Sequence, residues 1–250
     1  MNNLNEYENI LSKKRGWISK IPENKSCVLI FSGGLDSVST IARLIIDFNM
    51  NIYPLFINRG QTNLNFEEKS VDYFNKFFLE KFSKNYNNVK KINSEVPVKS
   101  LKDDLQEYMK KNGYPLRDTF MEMLAVQYAI SLQKNIKTVF SANVIDDPFP
   151  HCALQAMRST SVNVCENLED WEWQITSPNI DKNISEIQYG KTEEIIFCNK
   201  HNIPIEKTIS CYRPQLIDGN AHHCGDCLAC KRRKRSFKNA AIEDKTLYIK

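Results

Sequence analysis

Two stretches of this chain hold residues whose types and spacing suit chemistry. The first is Ser32-Gly33-Gly34-Leu35-Asp36-Ser37. It follows the apolar run Val28-Leu29-Ile30-Phe31 and precedes a helical pattern with Val38, Ile41, Ala42, Leu44 and Ile45 on one side. Strand, tight turn and helix in that order make a phosphate cradle. Glycines without a Cβ let the backbone come close to an anion. The amides that open the helix are unpaired and sit at the positive end of its dipole. Ser32 and Ser37 add hydroxyl donors, and Asp36 suits a Mg²⁺ ion or a helix cap. No Lys follows Gly34, so this is not a Walker loop. The plainer alternative is a turn that merely ends a strand.

The second stretch is Cys224-Gly-Asp-Cys227-Leu-Ala-Cys230, with Cys211 upstream. Two successive C-x₂-C steps and a fourth thiol make a tetrahedral Zn²⁺ site. Four protein ligands leave no place for water, so the site reads as structural. Redox or catalytic thiols are the main rival reading, an Fe–S cluster a further one, and His222 or His223 is a substitute for one thiolate. Cys27, Cys165 and Cys198 read as ordinary buried residues. The run Lys231-Arg232-Arg233-Lys234-Arg235 that follows reads as a solvated helix start; contact with nucleotide phosphates or RNA is the sharper reading. No exposed aromatic run accompanies it, so a dedicated RNA surface is not supported.

These groups need a scaffold. The pattern predicts strands at 26–31, 52–57, 89–92, 137–142 and 172–178, with helices at 35–47, 65–84, 118–133, 154–172 and 189–201. Strands alternating with helices indicate an α/β fold, an open and mostly parallel sheet with helices on both faces. Residues 1–20 read as an amphipathic lead-in with Ile10, Leu11 and Trp17 as docking residues. Phe66, Tyr73, Phe74, Phe77 and Phe78 have the spacing of a buried helix face, not of a base-stacking platform. Residues 94–113 are polar and match no element. The loops at 58–62 and 143–153 follow strand ends, where open α/β sheets place ligands.

A hydrophobic fraction of 42% is ample for a core, and a net charge of +4 argues little about partners. No stretch has the ~20 apolar residues of a membrane helix. Residues 1–20 carry Lys13, Lys14, Arg15 and Lys20 without the apolar run of a signal peptide, so a cytoplasmic protein is expected.

The Ser-Gly-Gly-x-Asp-Ser loop resembles the pyrophosphate loop of the ATP pyrophosphatases. Loop and cysteine tail together resemble the 7-cyano-7-deazaguanine synthase family over most of residues 26–240. Arg59-Gly60-Gln61 stands where that family has aromatic-Gly-Gln, and Pro115-Leu116-Arg117-Asp118 where it has Pro-x-Arg-Asn. Lys191 stands for a lysine that opens a late helix. Ser210-Cys211-Tyr212, the Cys224–Cys230 run and Arg233 match the family's ending.

The resemblance implies an adenine nucleotide alpha hydrolase-like, Rossmann-like domain over 1–205 and a small zinc-binding tail over 206–250. It implies that Mg-ATP adenylates the carboxylate of 7-carboxy-7-deazaguanine. Ammonia then displaces AMP to give an amide, and a second ATP converts the amide to a nitrile. Ser32, Gly33, Gly34, Leu35, Asp36, Ser37 and Gln61 would hold the nucleotide and Mg²⁺, while Lys191 and Arg117 would neutralise developing charge. A homodimer is also implied.

The departures from the family fall in one place. A Tyr-Pro-Asp-Cys-Arg element is here Phe149-Pro150-His151-Cys152-Ala153. The missing Asp would accept two hydrogen bonds from a guanine-like edge, which His151 cannot do. Asp146 and Asp147 are the nearby substitutes, and Asp118 replaces an Asn. This pattern suggests a divergent paralogue. Such paralogues occur in anti-phage defence cassettes, where the activated carboxylate is captured by another amine, including one on a protein. Two alternatives remain: a tRNA-base thiolase of the same superfamily, and a catalytically silent nucleotide-binding subunit.

Overall fold

The computed structural model describes residues 3–249. Its sheet is built from β1 (Ser26–Ile30), β2 (Asn51–Asn58), β3 (Lys90–Asn93), β4 (Thr138–Phe140) and β5 (Gln174–Thr176). All neighbours run parallel, in the order β3-β2-β1-β4-β5. Chain order therefore reverses direction between β1 and β4. That is the crevice where doubly wound sheets bind ligands.

The helices are α1 (Leu4–Arg15), α2 (Leu35–Ile46), α3 (Leu64–Lys81), α4 (Gln106–Asn112), α5 (Arg117–Ser131), α6 (Leu154–Leu168), α7 (Lys191–Lys200) and α8 (Leu228–Ala240). Side chains alternate across the strands. Leu29, Phe56 and Phe140 enter one core with Val38 and Ile41 of α2, Phe74 and Phe78 of α3, Ile195 of α7 and Phe237 of α8. Val28, Leu55 and Val139 enter the other with Ala125 and Ala129 of α5 and Met157 and Val164 of α6. The α/β architecture expected from the sequence is the one observed.

Several expectations need correction. Tyr73 is 42% exposed, because the buried face of α3 runs through Ser70, Phe74 and Phe78 and Tyr73 is displaced about 100° around the helix. Leu11 docks as expected, but Ile10 is exposed. The unassigned stretch 94–113 holds α4, none of whose residues is buried. A hairpin of β6 (Gln215–Ile217) and β7 (Asn220–His222) was not anticipated.

The basic run is not a uniformly solvated face. It lies inside α8, and Arg233 is 1% exposed. Its guanidinium donates to Thr246 Oγ1 at 2.9 Å, Thr208 Oγ1 at 2.8 Å and the Ile205 carbonyl at 2.7 Å. Cys27, Cys165 and Cys198 are buried, as the sequence suggested.

Candidate functional site

The apolar run of β1 delivers the chain to the crevice, and Gly33 turns it. Gly33 has φ +71°, and a Cβ there would lie 3.0 Å from Ser70 and the Val71 amide. A side chain is thus excluded twice, by backbone conformation and by α3. The Gly33 carbonyl accepts from Ser70 Oγ at 2.7 Å and the Ile209 amide at 3.2 Å. Gly34 opens α2 without a capping side chain of its own, and the Leu35 amide donates to Ser210 Oγ at 3.4 Å. The first amides of α2 face a cavity of about 280 Å³ at the C-terminal ends of the strands. The Ser37 hydroxyl donates to the Gly34 carbonyl at 3.2 Å and accepts from the Ser32 amide at 3.3 Å.

Two helix starts meet across this loop. Asp36, in the first turn of α2, is bonded to Nζ of Lys191, the first residue of α7. Burial opposes charge on both groups, but their mutual attraction outweighs it. Asp36 is held below the usual carboxylate range and Lys191 above the usual amine range. Glu194, one turn along α7 and fully buried, takes the opposite course. Burial, and then the Asp36 charge, hold its carboxyl well above the ordinary glutamate value. The site therefore sets an acid pushed toward ionisation and an acid pushed toward protonation beside one lysine.

Arg232 of α8 closes the same side. It donates to Asp147 Oδ1 at 3.2 Å and to the Asp146 carbonyl at 2.8 Å, and lies 3.3 Å from Asp146 Oδ2. Asp147 lines the cavity with this partner in place; Asp146 does not line it, and it is bonded at the rim to Arg232 and the Lys191 amide. The two acids expected to read the base are therefore engaged by a cation that sequence reasoning did not assign.

Gln61 is likewise outside the lining. It donates to Glu67 at 2.6 Å and accepts from the Arg59 amide at 2.9 Å. Glu67 and Arg59 do line the cavity and were missed, although Arg59 is the unusual residue of its Arg-Gly-Gln triplet. Burial raises the Glu67 carboxyl despite the nearby Arg59 charge.

Arg117 opens α5 and donates to its neighbour Asp118 at 2.7 Å. Burial works against the guanidinium charge, but Asp118 more than offsets it and holds Arg117 above its ordinary value. Asp118 is 4% exposed and also accepts from the Cys152 thiol at 3.3 Å. His151 sits on the 3₁₀ turn Pro150–Cys152, with Nε2 3.8 Å from Asp118 Oδ2. Cys152 and Phe149 line the cavity; His151 stands behind them, its ring stacked on Phe149.

The four cysteines of the tail converge. Their sulfurs lie within 4.8 Å of one another, and Cys224 and Cys230 are 3.9 Å apart. An ion with four bonds of about 2.3 Å fits such a group. Backbone amides of Cys224 and Arg213 point at the Cys211 sulfur, at 3.2 and 3.3 Å, and that of Cys227 at Cys224 Sγ, at 3.4 Å. Donors aimed at sulfur favour thiolates over thiols. Neither His222 nor His223 joins the group. His223 is fully buried and held neutral, its ring pushed down to about 4 by burial and by the Arg233 charge. Asn63 ties the tail to the cavity by donating to the Cys211 carbonyl at 3.0 Å.

Sequence comparison agrees with this geometry. Residues 26–241 match the profile of the family described as queuosine biosynthesis protein QueC. The 7-cyano-7-deazaguanine synthase of Thermoplasma volcanium is 29% identical, the alignment covering 90% of this chain and 92% of that one. The enzyme of the same name from Methanococcus vannielii is 30% identical over 89% of this chain and 98% of its own. That from Prochlorococcus marinus is 26% identical over 88% and 97%. With the Ser32–Ser37 loop, the paired helix starts and the cysteine group in place over the matched span, the chain belongs to the QueC family of ATP-dependent enzymes.

Proposed function

We propose that this protein is an AMP- and pyrophosphate-forming ligase that activates a carboxylate, with 7-carboxy-7-deazaguanine as substrate. The observation that carries the reading is the Asp36–Lys191 pair set at the start of α2. A carboxylate does not react with an amine, because oxide would have to leave. Transfer of the adenylyl group changes this. A carboxylate oxygen bonds to the α-phosphorus of ATP, and pyrophosphate departs with the electron pair. The amine nitrogen then bonds to the carbonyl carbon, AMP leaves, and the nitrogen loses a proton. Repeating the activation on the amide oxygen, and then losing AMP and both protons of the nitrogen, gives the nitrile.

The loop amides, Ser32, Ser37 and Lys191 stabilise the pyrophosphate as its charge develops. Asp36 would hold Mg²⁺, which neutralises phosphate charge, and Cys211, Cys224, Cys227 and Cys230 would hold Zn²⁺ as a structural ion. Arg117 would neutralise charge at the substrate end. His151 and Ala153 in place of the family's Asp and Arg support a divergent paralogue, whose acceptor is ammonia or a protein amine in a defence setting. The reading extends to a cytoplasmic homodimer.

The test is pyrophosphate release from Mg-ATP with 7-carboxy-7-deazaguanine, with and without ammonium, followed by mass spectrometry. A nitrile means intact family chemistry. AMP and pyrophosphate without a nitrile mean activation for another amine. No release with this substrate overturns the reading.

A further inference from the structure

Asp118, His151 and Cys152 come from the start of α5 and from the turn before α6, and no step of the proposed reaction uses them together. Their ligand atoms nevertheless converge. One oxygen, one ring nitrogen and one sulfur lie within 4.8 Å of one another. Asp118 Oδ2 is the centre, 3.3 Å from Cys152 Sγ and 3.8 Å from His151 Nε2. Bonds of about 2.0–2.3 Å to a single ion would span such separations.

A second observation points to a ligand. His151 Nε2 is buried and has no hydrogen-bond partner, and the side chain is only 10% exposed. A buried ring nitrogen without a partner is unfavourable, because its water is lost and nothing replaces it. The ring is nevertheless fixed in place. Phe149 stacks on it at 5.4 Å and 8°. On another side Gly113, with φ +74°, leaves room that a Cβ would take, coming within 2.9 Å of His151 Cε1. The ring is thus clamped with Nε2 beside a carboxylate and a thiol.

The surroundings complete the pattern. Arg117 donates to the other Asp118 oxygen at 2.7 Å, the outer-shell bond that orients a ligating carboxylate. Asn143 holds the Cys152 carbonyl at 3.2 Å.

We propose that Asp118, His151 and Cys152 form a second metal site, for Zn²⁺ or a cation of similar borderline softness, with one coordination position open to the cavity. Mixed oxygen, nitrogen and sulfur donors select such a cation over Mg²⁺. Three protein ligands are the number found where a fourth position is kept for water or substrate. Asp118 and Cys152 both line the cavity, so the open position faces it. The thiol loses its proton on coordination, and two anionic ligands then balance the divalent charge. The site changes what the cavity accepts. A lone carboxylate binds N–H donors, whereas a metal ion binds a lone pair, as on a carboxylate oxygen or a ring nitrogen.

The test reads metal rather than turnover, so it is separate from the ligase assay. The purified full chain is equilibrated with micromolar Zn²⁺, desalted and analysed for zinc. Wild type is expected to hold one equivalent more than His151→Ala and Cys152→Ser, which keep the equivalent of the four-cysteine group. With Co²⁺ as probe, wild type gains a thiolate-to-cobalt absorption beyond that of the four-cysteine group, an increment that Cys152→Ser lacks and Cys165→Ser retains. Equal zinc and identical cobalt spectra in wild type and both variants overturn the proposal, and a cobalt absorption above that of the four-cysteine group that survives Cys152→Ser does so independently.

Discussion

On the α2 and α7 side of the cavity, Asp36 is bonded to Lys191, and Arg232 spans Asp146 and Asp147. On the α5 side, Asp118 faces Arg117, but it also faces a neutral thiol and a ring nitrogen with no partner. One side is organised before any substrate arrives, as expected where charge develops and reorganisation would slow the reaction. The other side is held rigidly yet is chemically incomplete. It is also the side where the sequence departs from its family. The contrast separates two tasks. On the proposed reading, activation by ATP would draw on charges already in register, and choice of substrate on a group of residues that can be exchanged.

Four experiments bear on this contrast, in descending order of effect. Cys227→Ser should strip the metal from the tail, a contribution of ~10–16 kcal/mol near neutral pH in comparable sites. Metal content should fall by one equivalent, soluble yield should drop, and α8 with Arg232 should become sensitive to protease. A fully metallated, resistant variant would show that the organised side does not lean on the tail.

Lys191→Met should lower kcat for pyrophosphate release by roughly 10²–10³-fold. It should also destabilise the fold by leaving Asp36 unpaired. Adding Asp36→Asn should restore melting temperature without restoring activity. Recovery of both would mean that the pair is structural only.

Glu194 gives a pH signature. Its carboxyl is raised in the folded state, so its contribution is fully present below the ordinary glutamate value, near 4.5, and drains away as pH rises toward the folded value. The melting temperature of wild type should therefore fall relative to Glu194→Gln as pH rises above about 5. Parallel profiles would place a charged Glu194 beside Asp36.

The smallest effect concerns the incomplete side. His151→Asp restores a carboxylate acceptor and should lower KM for a substrate with a guanine-like edge by about tenfold, the worth of one charged hydrogen bond. An unchanged KM would place base recognition elsewhere.

The organised side was largely legible in the sequence. Two glycines after an apolar run can hardly be anything but a turn, and C-x₂-C spacing limits where thiols can go. Arg232 and Arg233 were hidden, because five consecutive basic residues look alike until helix periodicity sends one into the core and another to the cavity rim. Asp118 was readable as an exception in a motif, but not as the partner of His151 and Cys152. Their meeting depends on how α5 and the turn before α6 pack across the sheet. Gln61 was misleading for the same reason. Its place in the triplet was visible, whereas the turn that directs it toward Glu67 was not.

The Gly33 carbonyl is held by the amide of Ile209, and the carbonyl of Cys211 is held by Asn63. These bonds join residues 33 and 63 to residues 209 and 211. During synthesis, β1, the loop and α2 leave the ribosome long before the segment that fixes them. The nascent chain therefore cannot brace the loop until the segment that holds Ile209 and Cys211 has been made. A ribosome that stalls or terminates early releases a product with the loop but without its brace. The segment around Ile209 and Cys211 thus acts as a completeness check on the loop.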